Sequence, residues 1–276
     1  MRIALVGCMV MCREISYLIS KSPQIVRPWW LKQGLHNTPD ILHAELQRLI
    51  GEIELENQKL PPHQRFDTIV FAYGLCSNSL IGLKSQSLPI VVPRCDDCIA
   101  LLLGSVQRYR QYFQELSGTF WYSSGWIEHG DPPSRERYAR ERAEYAEKFG
   151  EDNADYLMQC SNHWLTSYRH CGYITCPMGD FPEHLAYARQ ASRDFGWSYE
   201  EIPGDLSYLS ALVNGPWDDG RFLTCPPESR IEAEYSSRKF RSVPCPSPYP
   251  GGGSGAEEKI VQKDRKEFQD LSAKND

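Results

Sequence analysis

The residues Thr68-Ile69-Val70-Phe71-Ala72, followed at once by Tyr73-Gly74-Leu75-Cys76-Ser77-Asn78, decide the fold. The first five carry no charge and lack the polar alternation of a half-solvated strand. They match a strand buried on both faces, the kind that parallel sheets contain. The small and polar residues that follow mark the strand end, and they open into a loop that holds a cysteine.

The pattern recurs on either side of this stretch. Residues 2–7 are a short apolar strand running into Cys8, and residues 88–93 are another, running into Arg94-Cys95-Asp96-Asp97-Cys98. Helices are predicted over 11–20, 99–103, 106–116, 132–149, 152–168, 183–195 and 206–213. A further helix is predicted over 40–55, where Ile41, Leu42, Leu46, Leu49, Ile50 and Ile53 form a stripe. More strands are expected at 25–30, 119–123, 172–176, 198–202 and 221–225. Strands alternating with helices predict an α/β domain over residues 1–235, with a doubly wound, mostly parallel, Rossmann-like sheet. Residues 236–276 are expected to form a linker and disordered tail. The composition turns to Pro, Gly and Ser across 244–255, then to charged residues with few large apolar ones.

With 276 residues, 41% of them hydrophobic, the chain can bury a sizeable core. A net charge of −6 argues against a general nucleic-acid or anionic-membrane surface. No run approaches the ~18 apolar residues of a membrane span. The first residues lack the long apolar core of a signal peptide. A cytoplasmic protein is therefore expected, with neither nucleic acid nor membrane as partner. Ten cysteines stand at 8, 12, 76, 95, 98, 160, 171, 176, 225 and 245. In a reducing compartment, grouped cysteines point to metal binding or thiol chemistry rather than to a disulfide scaffold.

Ligands of open α/β sheets sit beyond the carboxyl ends of the strands. Cys8, Cys76 and the Cys95/Cys98 pair each follow a strand, so their loops are predicted to face one crevice. A thiolate set of this kind suits zinc or an iron–sulfur cluster. His36, after the second strand, is a candidate fourth ligand, and Cys95 a further one. Gly74 would let a ligand approach the backbone, and Arg94 would pair with a carboxylate or phosphate. Asn78, Asp97 and Trp126 complete the candidate binding residues. Plainer readings stand beside these. Apolar-flanked cysteines are often core, Arg94 would pair with Asp96 or Asp97, and His36 would sit at the surface or in packing.

Three functions are open on this reading. One is a thiolate metal-site protein, acting as an enzyme or accessory factor. Another is a small-molecule binding module whose cysteines are core. The third is a thiol redox protein using Cys95-x-x-Cys98, which Asp96 and Asp97 disfavour by raising thiol pKa. The chain has no P-loop, no G-x-G-x-x-G after the first strand and no G-x-S-x-G. Nucleotide hydrolysis, dinucleotide binding and α/β-hydrolase chemistry thus lose support.

A series of motifs carries a family resemblance. It runs Tyr73-Gly74-Leu75-Cys76-x-Asn78 with Gly82-Leu83, then Pro93-Arg94-x-x-Asp97-Cys98-Ile99, Leu103-Gly104-Ser105 and Gly125-Trp126-Ile127-Glu128. Gly150-Glu151-Asp152-Asn153-Ala154, Gly204-Asp205-Leu206 and Gly215-Pro216-Trp217-Asp218 follow. Over residues 1–235 the chain resembles the bacterial and archaeal domain-of-unknown-function family 1638. The resemblance implies that Cys8, Cys76 and Cys98 are the recurring cysteines, with Cys95 and Cys12 outside the pattern. It implies no agreed activity. Members often neighbour corrinoid-dependent methyltransferases, which implies one-carbon metabolism, with a corrinoid cofactor, a corrinoid protein or a methyltransferase as partner.

Overall fold

Each apolar run that ends in a cysteine loop is a strand of one sheet in the computed structural model, which describes residues 1–76 and 78–246. The chain falls into two units, Met1–Pro244 and Cys245–Asp276. The tail expected beyond position 246 lies outside the described residues.

The first unit begins with β1 (Arg2–Cys8), α1 (Cys12–Lys21), β2 (Ile25–Leu31), α2 (Pro39–Lys59) and β3 (Thr68–Ala72). A short β4 (Lys84–Ser85), β5 (Ile90–Pro93), α3 (Cys98–Leu102) and α4 (Val106–Glu115) come next. Then follow β6 (Thr119–Tyr122), α5 (Ser124–His129), α6 (Arg135–Phe149), α7 (Glu151–Ser161), β7 (His170–Thr175), α8 (Pro182–Phe195) and β8 (Ser198–Pro203). The unit closes with α9 (Ser207–Asn214), β9 (Phe222–Cys225), β10 (Ser229–Ala233) and β11 (Phe240–Pro244).

The main sheet has the order β2-β1-β3-β5-β9. The first four strands are parallel, and β9 runs antiparallel to β5, so the sheet is mixed but mostly parallel. Ile3, Leu5, Ile69, Phe71 and Val91 are fully buried in its aliphatic core, as continuous apolar runs require. Chain order reverses between β1 and β3, because β2 lies on one side of β1 and β3 on the other. Loops leaving such neighbours diverge and open a crevice at the strands' carboxyl ends.

The strands of the second half do not extend this sheet. β6, β7 and β8 form a separate parallel sheet around their own core of Tyr122, Tyr173 and Trp197, and β4, β10 and β11 form a small antiparallel one. Sequence periodicity cannot distinguish one sheet from two, since both halves alternate strand and helix. Besides the two-residue β4, three elements escaped the reading as well. One is α5, in a stretch that reads as a loop but is capped by the Ser123 side chain accepting from Trp126 N–H. The others are β10 and β11, the second of them where a linker is expected from position 236. Pairing of β11 with β10 and complete burial of Phe240 hold that segment in the unit. Among the described residues, no helix is long and apolar enough to cross a membrane.

α5 lies against the turn that leaves β1. A β-carbon on Gly125 would stand 1.8 Å from the Val10 carbonyl oxygen, so only glycine permits this approach. Gly51, inside α2, has nothing within 4 Å of a built β-carbon. Denaturant titration should therefore separate the two. Gly125→Ala is expected to cost about 1–3 kcal/mol or more, and Gly51→Ala to gain about 0.5–1 kcal/mol from helix propensity. Equal effects would contradict the packing described.

Candidate functional site

Cys8 is the last residue of β1, where the strand gives way to a tight turn, and its buried thiol faces the backbone N–H of Val10. Cys76 sits in the loop after β3 in a left-handed conformation, φ +41°. Cys98 is the first residue of α3, after β5. Asp97 caps that helix: one carboxylate oxygen accepts from the Ile99 N–H at 2.9 Å and the other from the Tyr109 hydroxyl at 2.9 Å.

Two backbone hydrogen bonds zip the second and third loops together. Leu75 N–H donates to Cys95 O at 2.9 Å, and Cys76 N–H to Asp96 O at 3.0 Å. Gly74 makes this possible, since a β-carbon there would lie 2.6 Å from Asp97 N. Gly74 was expected to admit a ligand; what comes close to it is the neighbouring loop.

The three thiols line one cavity of about 350 Å³, together with Tyr73, Asp97 and Trp126. Lys32 and His36, from the segment after β2, also line it. The sequence reading thus brings Cys8, Cys76, Cys98, His36, Asp97 and Trp126 to one place. It missed Lys32, although polar residues directly after a strand of such a sheet are a signal for it. It also missed Tyr109, whose hold on Asp97 has no local sequence signature.

Burial pushes all three thiols up. Cys76 reaches about 12, raised next by Asp97 and then by Cys8. Cys98 is pushed well above the usual thiol range by burial, then by Asp97, Cys8 and Cys76, so the sulfurs lie close enough to feel one another. Cys8 is raised chiefly by burial as well. At neutral pH the thiols therefore keep their protons. Burial lowers His36, which leaves a neutral imidazole able to ligate.

At this cavity two buried donors, the Tyr73 hydroxyl and the Trp126 indole N–H, have no hydrogen-bond partner among the described residues. Tyr73 is only 4% exposed. Its hydroxyl faces Cys8, and the Trp126 N–H faces Cys98; each eases ionisation of the thiol it meets. The Gly74 N–H does the same for Cys76. Among the described residues, no three His, Cys, Asp or Glu are arranged to hold an ion as they stand. The thiols ring a cavity rather than a point.

Other candidates lie elsewhere. Cys95 is fully buried in the core and is not part of the cavity wall. Asn78 is exposed at a second left-handed position, φ +70°, where its carbonyl accepts from the Ile81 N–H. Arg94 is 4% exposed and turns toward β9 and β11. Its guanidinium donates to the Asp219, Phe222, Arg238 and Phe240 carbonyls and pairs with the Asp219 carboxylate at 2.8 Å. It is a structural clamp, and neither Asp96 nor Asp97 is its partner. Asp96 pairs with Lys239 instead.

Raised thiols have a pH signature. A folded-state pKa above the unfolded one stabilises the fold below the unfolded value and is lost as pH rises through the folded value. For Cys76 this window runs from 9.0 to about 12. The chelator-treated protein should lose thermal stability progressively above pH 9, and Cys76→Ser should flatten that slope. At pH 7.5, alkylation by iodoacetamide, followed by mass spectrometry, should modify exposed Cys160 well before Cys76 or Cys98. Modification of Cys76 first would contradict the protonated state.

A family model described as "Protein of unknown function (DUF1638)" matches residues 30–213, well over half of the chain. No curated protein and no solved structure matches. The matched span takes in Cys76 and Cys98, both on the cavity wall, while Cys8 precedes it. The chain belongs to the DUF1638 family.

Proposed function

We propose that Cys8, Cys76 and Cys98 hold a soft metal centre, zinc or an iron–sulfur cluster, in an enzyme or accessory factor that binds a small molecule beside it. The main sheet would then serve as a doubly wound, Rossmann-like platform without a dinucleotide site, with the centre at the reversal between β1 and β3. The observation that carries this reading is the meeting of three thiols from three strand ends, two of them facing a buried donor that has no other partner. Donors to ligating sulfur are the usual outer shell of thiolate centres.

Three protein ligands leave one position for a substrate, which zinc or an open iron would polarise. The residues of the chain do the rest. Tyr73 and Trp126 offset the charge that the sulfurs gain on losing their protons. Asp97, fixed by Ile99 N–H and Tyr109, holds Cys98 at the start of α3. His36 supplies a neutral nitrogen at the wall, either as fourth ligand or facing the substrate.

A second reading, a small-molecule module with no metal, is favoured by the absence of a preformed ion-binding triad among the described residues. A link to one-carbon metabolism or a corrinoid partner rests on the family resemblance. A cavity of about 350 Å³ is at the low end for ligand sites and suits a small molecule better than a whole corrinoid.

Anaerobic purification, metal analysis and a visible spectrum test the proposal. Wild-type protein should carry stoichiometric metal; Cys8→Ala, Cys76→Ala and Cys98→Ala should each lose it, and Cys95→Ala and Cys12→Ala should retain it. Because the thiols start protonated, uptake should release protons, and the apparent affinity should rise by up to about a thousandfold per pH unit near neutrality. A protein free of stoichiometric metal after anaerobic reconstitution, or one that keeps it in all three site variants, would sink the metal reading.

A further inference from the structure

The thiol cavity does not end at Trp126. A second cavity of about 560 Å³ shares Gln33, His36 and Trp126 with it. The far wall of this trough is aromatic. The ring of Phe120 stands 5.2 Å from that of Tyr168 and 6.0 Å from that of Trp164, and Trp164 and Tyr168 are 5.8 Å apart. Trp126 meets His36 edge-on at 5.7 Å, so aromatic surface continues from one cavity into the next. Trp164 remains 38% exposed.

The polar groups of the trough divide into two kinds. Its charges are spent within the protein: Arg137 donates to the Asp131 carbonyl and pairs with Glu141, each at 2.8 Å. Its amides are free: the Gln33 and Asn37 side chains make no hydrogen bond among the described residues. Stacking surface, neutral donors and acceptors, and no unpaired charge are what a flat polar ring requires.

We propose that this trough binds an uncharged nitrogen heteroaromatic ring, of the kind found in nucleobases and nicotinamide, as the body of the molecule whose reactive end lies at the thiols. The inference builds on the proposed function in placing the reactive end, but ring binding itself needs no metal. The thiol cavity alone would accept any small ligand; the continuous aromatic wall specifies the rest of the molecule.

The test uses the full chain, treated with chelator, titrated with adenosine, guanosine, uridine and nicotinamide. Ribose and cyclohexanecarboxamide serve as the ring-free and saturated controls. Tryptophan fluorescence and thermal shift report binding. At least one aromatic probe should bind tenfold or more tightly than cyclohexanecarboxamide. Trp164→Ala should weaken it about 5- to 150-fold, the range that a lost stacking partner gives, and Asn37→Ala should also weaken it. Both side chains are exposed, so the variants should fold, as an unchanged melting temperature would confirm. Ring binding by the chelator-treated protein should persist whatever the outcome of metal reconstitution, which separates this test from that of the metal. No binding by any aromatic probe, equal binding of the saturated control, or full affinity in Trp164→Ala would overturn the proposal.

Discussion

The site depends on the closeness of two loops. Leu75 and Cys76 donate to the carbonyls of Cys95 and Asp96 across a gap that exists only because residue 74 has no side chain. These bonds bring the thiol after β3 beside the thiol at the start of α3. They also dictate which way the second loop faces. With its backbone turned to Gly74 and Asp97 committed to capping, Cys98 reaches the cavity while Cys95 joins the core. Arg94, just before this loop, fastens its other side to β9 and β11 through the Phe222 and Phe240 carbonyls, and to the Asp219 and Arg238 carbonyls that precede them. The loop is thus held from both directions, and the sulfur of Cys98 is placed by the rigidity of its surroundings.

Charge sets the chemistry that such a place can do. Three thiols raised by burial, two of them further by Asp97, do not ionise by themselves, so the site is poor as a metal-free nucleophile. A metal cation would reverse this balance, as a coordinated thiol is deprotonated outright. The Tyr73 hydroxyl and Trp126 N–H, which have no partner among the described residues, would then face thiolate acceptors. On the proposed function, neutral thiols beside these donors are the unloaded form of a thiolate centre.

Much of this was legible in the sequence. The β3 strand was read to the residue, since a five-residue uncharged run has few alternatives. The convergence of Cys8, Cys76 and Cys98 followed from one rule about strand ends, and His36 and Trp126 came with it. The failures share a cause, which is that a sequence does not state direction. Arg94 and Cys95 stand in the right loop but turn the other way, because the partners that turn them lie more than a hundred residues later or in the core. Asn78 reads as a polar pocket residue, yet a tight left-handed turn uses it. The division into two parallel sheets was hidden for a similar reason: local periodicity is the same in both halves, and only the aromatic character of β6 and its neighbours sets the second core apart.

The central claim is that one centre is bound by sulfur from three separate loops. X-ray absorption at the metal edge of the loaded protein measures this directly. For a zinc centre three sulfur neighbours at about 2.3 Å are predicted, falling to two in whatever zinc the Cys76→Ser protein retains. A first shell of nitrogen and oxygen alone, or a sulfur count unchanged by that substitution, would contradict it.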